Sequence, residues 1–317
     1  MENLGTLDNQ YNIIEKKDYN GYRIIYSVRH NQTQVNYLIA IKKHIGNDND
    51  NFPANVINIL NILQKINNPY IMHYIGNGNG ILALNNKPPR NVNYLIFEYS
   101  PRFPLFDYIN LDRLTERQAK LLFKKILNGV QAMHNAHICH RDIKLLNILL
   151  DENYNPKIFG FDFSSINANN LNDYTGSLNY LAPEIIEKHP YDGFKADIFS
   201  LGQLLFNLVN RILGFNSSRA NDQFYSLIRT NKLNDYWNSG PLHNINPSNE
   251  FKNLFIRMVA YDPQQRPTID EILNDPWMQE INNLNNNELN ALENELRIEL
   301  HNREAQIVNN LQNEDDE

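Results

Sequence analysis

The sequence predicts an α+β fold in two lobes, a small β-rich lobe with one main helix followed by a larger, mostly helical lobe. Three observations carry this prediction. Up to about residue 98 the apolar residues fall in short β-branched runs, and beyond residue 104 they recur at helical spacing. Between the two patterns, Ser100-Pro101-Arg102-Phe103-Pro104 interrupts both, as a linker between lobes does. At 317 residues the chain is also long enough to bury a core of full size without staples.

Residues 1–10 read as a leader, and residues 11–98 as the first lobe. Within it, residues 22–28 and 37–42 are strand-like runs parted by a polar turn. Val56, Ile59, Leu60, Leu63 and Ile66 lie at helical spacing, and Asn67-Asn68-Pro69 stops that helix. Residues 92–99 form another apolar strand leading into a hinge at about 98–104. The second lobe, 105–280, opens with Thr115-x-x-Gln118, a capping-box pattern. Ala119, Leu122, Phe123, Ile126, Leu127, Val130 and Met133 follow as one buried stripe. A second apolar helix runs from about 197 to 209, with shorter ones near 251–260 and 269–273.

Residues 281–317 form a helical, acidic-ended tail. Leu284, Leu289, Leu292, Leu296, Leu300, Ile307 and Leu311 mark one face of it. Glu299 and Arg303, however, fall where a coiled-coil seam wants apolar residues. Two readings stand: the helix packs back on its own body, or it offers a face to a partner or a second copy.

Lys and Arg number 29 against 36 Asp and Glu, a net charge of −7. That excludes a strongly basic surface, so nucleic acid is not an expected partner. A single cysteine, Cys139, rules out an internal disulfide framework and suits a reducing, intracellular compartment. No basic segment with an apolar run opens the chain, and no stretch approaches a membrane span, so neither secretion nor membrane insertion is expected.

The chemistry lies in His140-Arg141-Asp142-Ile143-Lys144-Leu145-Leu146-Asn147. One loop here offers a carboxylate that can take a hydroxyl proton, a cation for a moving phosphoryl group and an amide oxygen for a metal. The pattern H-R-D-x-K-x-x-N resembles the eukaryotic protein kinase family, and Lys144 two places after the Asp resembles its serine/threonine branch. The resemblance extends over about residues 11–280. Ala40-Ile41-Lys42 matches the family's A-x-K, whose Lys holds the ATP phosphates. Glu98-Tyr99-Ser100 resembles the adenine-binding hinge, behind Phe97 as gatekeeper. Gly176 to Glu184 resembles the end of the activation segment, where Ser177 would face the substrate. Asp197 resembles the helix-borne anchor of the catalytic loop, and Arg266 should pair with Glu184.

What the resemblance implies is a two-lobed protein kinase fold that uses ATP and Mg²⁺ on a protein substrate. Asp142 would be the catalytic base and Lys144 the phosphoryl-neutralising cation. Lys42, Ala40, Gly21, Glu98 and Ser100 would hold ATP, and Asn147 with Asp162 the metal.

Three departures fall on the nucleotide side. The glycine-rich loop reads Asp18-Tyr19-Asn20-Gly21-Tyr22-Arg23, with one Gly left; Arg23 has two readings, a substitute phosphate cation or, more simply, a solvated surface residue. The glutamate that should pair with Lys42 is replaced by Ile59, and residues 51–97 contain no acid at all. Finally, the gapless register puts Gly160-Phe161-Asp162 where the family carries D-F-G, while a register with two inserted residues would use Asp162-Phe163-Ser164. Residues two apart in extended chain are roughly 6.6 Å apart, far outside the reach of a ligand bound at about 2.1 Å. The expected function is therefore an impaired serine/threonine kinase, with a pseudokinase acting as a binding or regulatory module as the alternative. The activation segment supplies one more expectation: Asp173 stands where related kinases carry a phosphorylated Thr, and would pair with Arg141.

Overall fold

A computed structural model describes residues 4–17, 23–42, 52–239 and 247–315. The first lobe is a closed barrel of β1 (Gly5–Leu7), β2 (Tyr11–Lys17), β3 (Arg23–His30), β4 (Asn36–Lys42), β5 (Tyr74–Leu84) and β6 (Arg90–Glu98), with α1 (Ala54–Ile66) packed against it. The strand order is β1-β2-β3-β4-β6-β5, antiparallel throughout. Strands have two faces at period 2. Ile13, Val28, Ile39, Ile41 and Val92 fill the barrel, whereas Ile25, Leu38, Ala40, Leu95 and Phe97 join a core shared with the second lobe.

The barrel begins earlier than residue 11. Gly5–Leu7, inside the expected leader, pairs with β2 and β5 and closes the sheet, with Leu7 buried. Only glycine suits position 5, at φ +144° with a Cβ that would stand 2.1 Å from the Ala83 carbonyl oxygen. β5 carries Gly76, Gly78 and Gly80 and reads locally as turn, yet it is a long strand. A Cβ on Gly78 would meet the Tyr94 ring at 2.6 Å, so the aromatic neighbour explains the missing side chain.

α1 buries Val56, Ile59, Leu60 and Leu63, as the spacing predicts, and ends on Asn67 in a left-handed conformation. After the hinge come α2 (Leu105–Leu111), α3 (Glu116–Asn135), β7 (Ile138–Cys139), β8 (Ile148–Leu150), β9 (Pro156–Ile158) and β10 (Ser165–Ile166). The capping box of α3 forms: Gln118 N–H donates to Thr115 Oγ1 at 3.2 Å, and Thr115 N–H to Gln118 Oε1 at 3.0 Å. Then follow α4 (Pro183–Ile186), α5 (Gly193–Asn210), α6 (Tyr225–Arg229), α7 (Leu233–Trp237), α8 (Asn249–Met258), α9 (Ile269–Leu273), α10 (Gln279–Asn282) and α11 (Asn286–Asp315). α5 starts at Gly193, four residues earlier than the apolar pattern alone marks, is capped by Asp192, and is buried almost all round.

α11 folds back onto α2 and α3, burying Leu292, Leu296, Leu300 and Ile307. Each such side chain contributes about 1.5–3 kcal/mol of burial. Arg303 interrupts the stripe for a reason the linear pattern hides. It donates to the carbonyl oxygens of Tyr108 at 3.0 Å, Asp112 at 2.6 Å and Arg113 at 2.8 Å, at and beyond the C-terminal end of α2. Among the described residues, no helix is long and apolar enough to cross a membrane.

Candidate active site

The site is assembled around Asp197 on α5, which is fully buried. Its carboxylate accepts from His140 N–H at 2.8 Å and Arg141 N–H at 2.8 Å, and lies 2.9 Å from His134 Nε2. This anchor holds the loop after β7 in place, including Arg141 at φ +64°, a conformation costly for a residue that carries a Cβ. His140 is fully buried, and burial holds its imidazole below the usual range against the pull of the Asp197 and Asp142 carboxylates. As a neutral ring it accepts from Asp142 N–H through Nδ1 at 3.2 Å and donates from Nε2 to the Phe159 carbonyl oxygen at 3.0 Å.

Asp142, Lys144 and Asn147 converge as the motif predicts. Lys144 Nζ lies 2.8 Å from Asp142 Oδ2 and donates to Ser177 Oγ at 2.6 Å. Ser177 in turn donates to Asp142 Oδ1 at 2.7 Å. Asn147 Nδ2 donates to both the Asp142 carbonyl oxygen at 2.7 Å and Asp142 Oδ2 at 2.9 Å. A carboxylate, an ammonium and a hydroxyl thus close a triangle in a nearly dry site, where each interaction is stronger than in water.

Beyond the triangle, Arg141 Nη1 donates to both Asp173 oxygens at 2.7 Å, so the pairing expected from spacing is present. Tyr191 also contributes its hydroxyl to the Asp173 carbonyl oxygen at 3.2 Å. Glu184 and Arg266 form a buried bidentate pair at 2.7 Å and 2.7 Å.

On the nucleotide side, Ala40 and Phe97 are fully buried, with Phe97 edge-on to Phe159 at 5.1 Å. Ser100 is buried and donates to the Leu150 carbonyl oxygen at 2.7 Å. The Glu98 carboxylate accepts from Lys157 Nζ at 2.9 Å and His73 N–H at 2.8 Å, and its own N–H donates to the His73 carbonyl oxygen at 2.9 Å. Gly21 lies outside the described residues, as do Asp18 to Tyr22. Lys42 ends β4 directly opposite Arg23 on β3. Ile59 is fully buried in the cluster that also holds Ala40, Leu95 and Phe161.

Arg23 is not the solvated residue its place in the sequence suggests. It is 1% exposed, its Nε donates to Asp162 Oδ1, and its guanidinium lies 5.0 Å over the Phe52 ring. Asp162, expected as a metal ligand, therefore meets Arg23. Gly160 sits at φ +83°, and a Cβ there would stand 2.7 Å from Asn147 Cγ and Oδ1. Phe161 is fully buried and tilts against His140 at 5.5 Å. No linear signal announces the Arg23–Asp162 pair, because the residues are 139 positions apart.

Comparison with known proteins agrees with this geometry. A family model described as a protein kinase domain matches residues 21–278. The maternal embryonic leucine zipper kinase of Danio rerio is 32% identical over 190 residues, covering 58% of this chain and 27% of that protein. Its namesake in Xenopus laevis is 33% identical over 191 residues, covering 58% and 28%. The chain spans 17% to 28% of the length of the curated relatives it matches. Since the matched span takes in β3 to β6 of the barrel, the catalytic loop and the helices that carry it, the chain belongs to the eukaryotic-type protein kinase family.

Proposed function

We propose that the chain is a serine/threonine protein kinase that transfers phosphoryl from ATP to a protein hydroxyl, with the transfer impaired on the nucleotide side. The observation that carries this reading is the Asp142–Ser177–Lys144 triangle, with contacts of 2.6 to 2.8 Å. A carboxylate and an ammonium placed around one serine hydroxyl have the reach to serve an incoming one. Asp142 accepts the proton as the substrate oxygen attacks, and Lys144 offsets charge on the transferring group. Asp197 and His140 keep both at working distance, which is where much of a positioned reaction's advantage originates.

Kinases of this family use ATP with Mg²⁺. The residues present do not fit a magnesium ion held in the family's way. Gly160 offers no ligand, and the space a side chain would need there is taken by Asn147. Asn147 donates to Asp142 through Nδ2 and keeps its Oδ1 as one ligand, but Asp162, the carboxylate that would have to complete the set, is paired with Arg23. Metal neutralisation is worth several kcal/mol, and about 1.4 kcal/mol is tenfold in rate, so a loss of at least about a hundredfold is expected. A γ-phosphate transfer assay on protein substrates checks the reading. Weak transfer that Asp142→Asn abolishes supports it, and a residual signal untouched by that substitution refutes it.

A second reading keeps the fold as a binding or regulatory module without transfer. The burial of Ile59 where the family carries an acid favours it, because the position has become part of the core. Absence of any Asp142-dependent transfer, with the chain still folded, would select this reading. In either case the partner is another protein, met through the second lobe or the tail.

A further inference from the structure

Arg23 is the first residue of β3, and Asp162 stands on the 3-10 turn Phe161–Phe163, so their pair ties the barrel to the start of the activation segment. An arginine 1% exposed must have its charge answered, since removing a guanidinium from water costs several kcal/mol. Asp162 supplies the answer. Its carboxylate in turn has no other cation on it among the described residues. The aromatic face of Phe52 at 5.0 Å completes the housing of the guanidinium.

We propose that Arg23 replaces the metal ion in this cleft: a guanidinium fixed to β3 is the standing counter-charge of Asp162, and the phosphate side is built to work without a divalent cation. The inference rests on the proposed reading of an altered nucleotide side, though not on whether transfer survives. Guanidinium remains charged at every physiological pH and offers a planar fork to a carboxylate, so the pairing is permanent where a bound metal would exchange. It carries half the charge of Mg²⁺ and donates directional bonds in place of octahedral ligation.

Two further features agree. Arg23 and Lys42 are directly opposed in the β3–β4 register, so their side chains share a face. Two cations side by side on one face bring the kind of charge that a divalent ion brings to phosphates. Meanwhile Asn147 Oδ1 lies 2.7 Å from the point where a Cβ at residue 160 would stand, so a second carboxylate cannot be seated there without moving Asn147. The cleft has lost a metal ligand and gained an internal cation, and both changes move its charge in the positive direction that a bound divalent ion would supply.

The experiment uses the full chain and Mn²⁺ as probe, with bound ion counted by electron paramagnetic resonance. Wild type and Asp162→Ala are expected to bind Mn²⁺ equally poorly, because Asp162 is already paired. Arg23→Met keeps much of the apolar stem and frees the carboxylate, so it is expected to bind Mn²⁺ at least about tenfold more tightly than wild type. If Asp162→Ala strips Mn²⁺ from the wild-type site, or if Arg23→Met binds it no better than wild type, the proposal is overturned. Should Arg23→Met fail to fold, the comparison of wild type with Asp162→Ala decides alone. Phosphoryl transfer is not read in this experiment, so its outcome stands apart from that of the transfer assay.

Discussion

Asp107, in the first turn of α2, shows how burial alone retunes a single residue. Half-buried, its carboxyl is raised by desolvation to about 6 from the model-compound value of 3.8. With the folded-state value above the unfolded one, the folded chain holds the proton more tightly. The associated stability is complete below pH 3.8 and is lost as pH rises through about 6. Asp107→Asn should therefore unfold at the wild-type temperature near pH 4 and at a higher temperature near pH 7.5, as thermal melts at the two pH values will show. Single residues also mark the limit of local reading. Asp173 was legible because its partner Arg141 belongs to a motif of known spacing, and the pair forms at 2.7 Å. Arg23 was not, since a cation beside a degenerate loop looks solvated until the strand that carries it is folded against Asp162.

Among the elements, α11 depends on one side chain more than its apolar stripe suggests. Arg303 satisfies three carbonyl oxygens from Tyr108, Asp112 and Arg113, while Arg102 and Tyr154 reach Glu304, the adjacent residue, at 2.5 Å and 2.5 Å. Arg303→Met would keep the packing and leave buried carbonyls unpaired. A loss of about 2–4 kcal/mol is expected, read as a lower urea midpoint with an unchanged slope. The heptad break at Arg303 is thus the signature of a helix that docks on its own body. β5 makes the opposite point: its glycines argue for turns, and only the folded sheet shows that Tyr94 takes the space beside Gly78 and Asp8 the space beside Gly80.

At the scale of the molecule, one apolar cluster runs from Ile25, Ala40 and Phe97 of the barrel through Phe159 and Phe161 to the helices of the second lobe. Lobes that share a core lose it together. Both tryptophans, Trp237 and Trp277, lie in the second lobe, whereas far-ultraviolet circular dichroism reports the strands as well. The two signals should trace coincident denaturation curves; a barrel that melts first would separate them.

By itself the sequence determined what depends on near neighbours. Periodicity marked α1, α3 and α5, Thr115 and Gln118 announced a cap, and eight consecutive residues placed Asp142, Lys144 and Asn147 on one loop. Tertiary structure alone decided three meetings outside the motifs: Arg23 with Asp162, Asn147 in the space beside Gly160, and Arg303 with the end of α2. The physical reason is reach. Backbone geometry fixes where a side chain stands relative to residues a few places away, whereas the partner of a charge from another lobe is set by how the two lobes close over their common core.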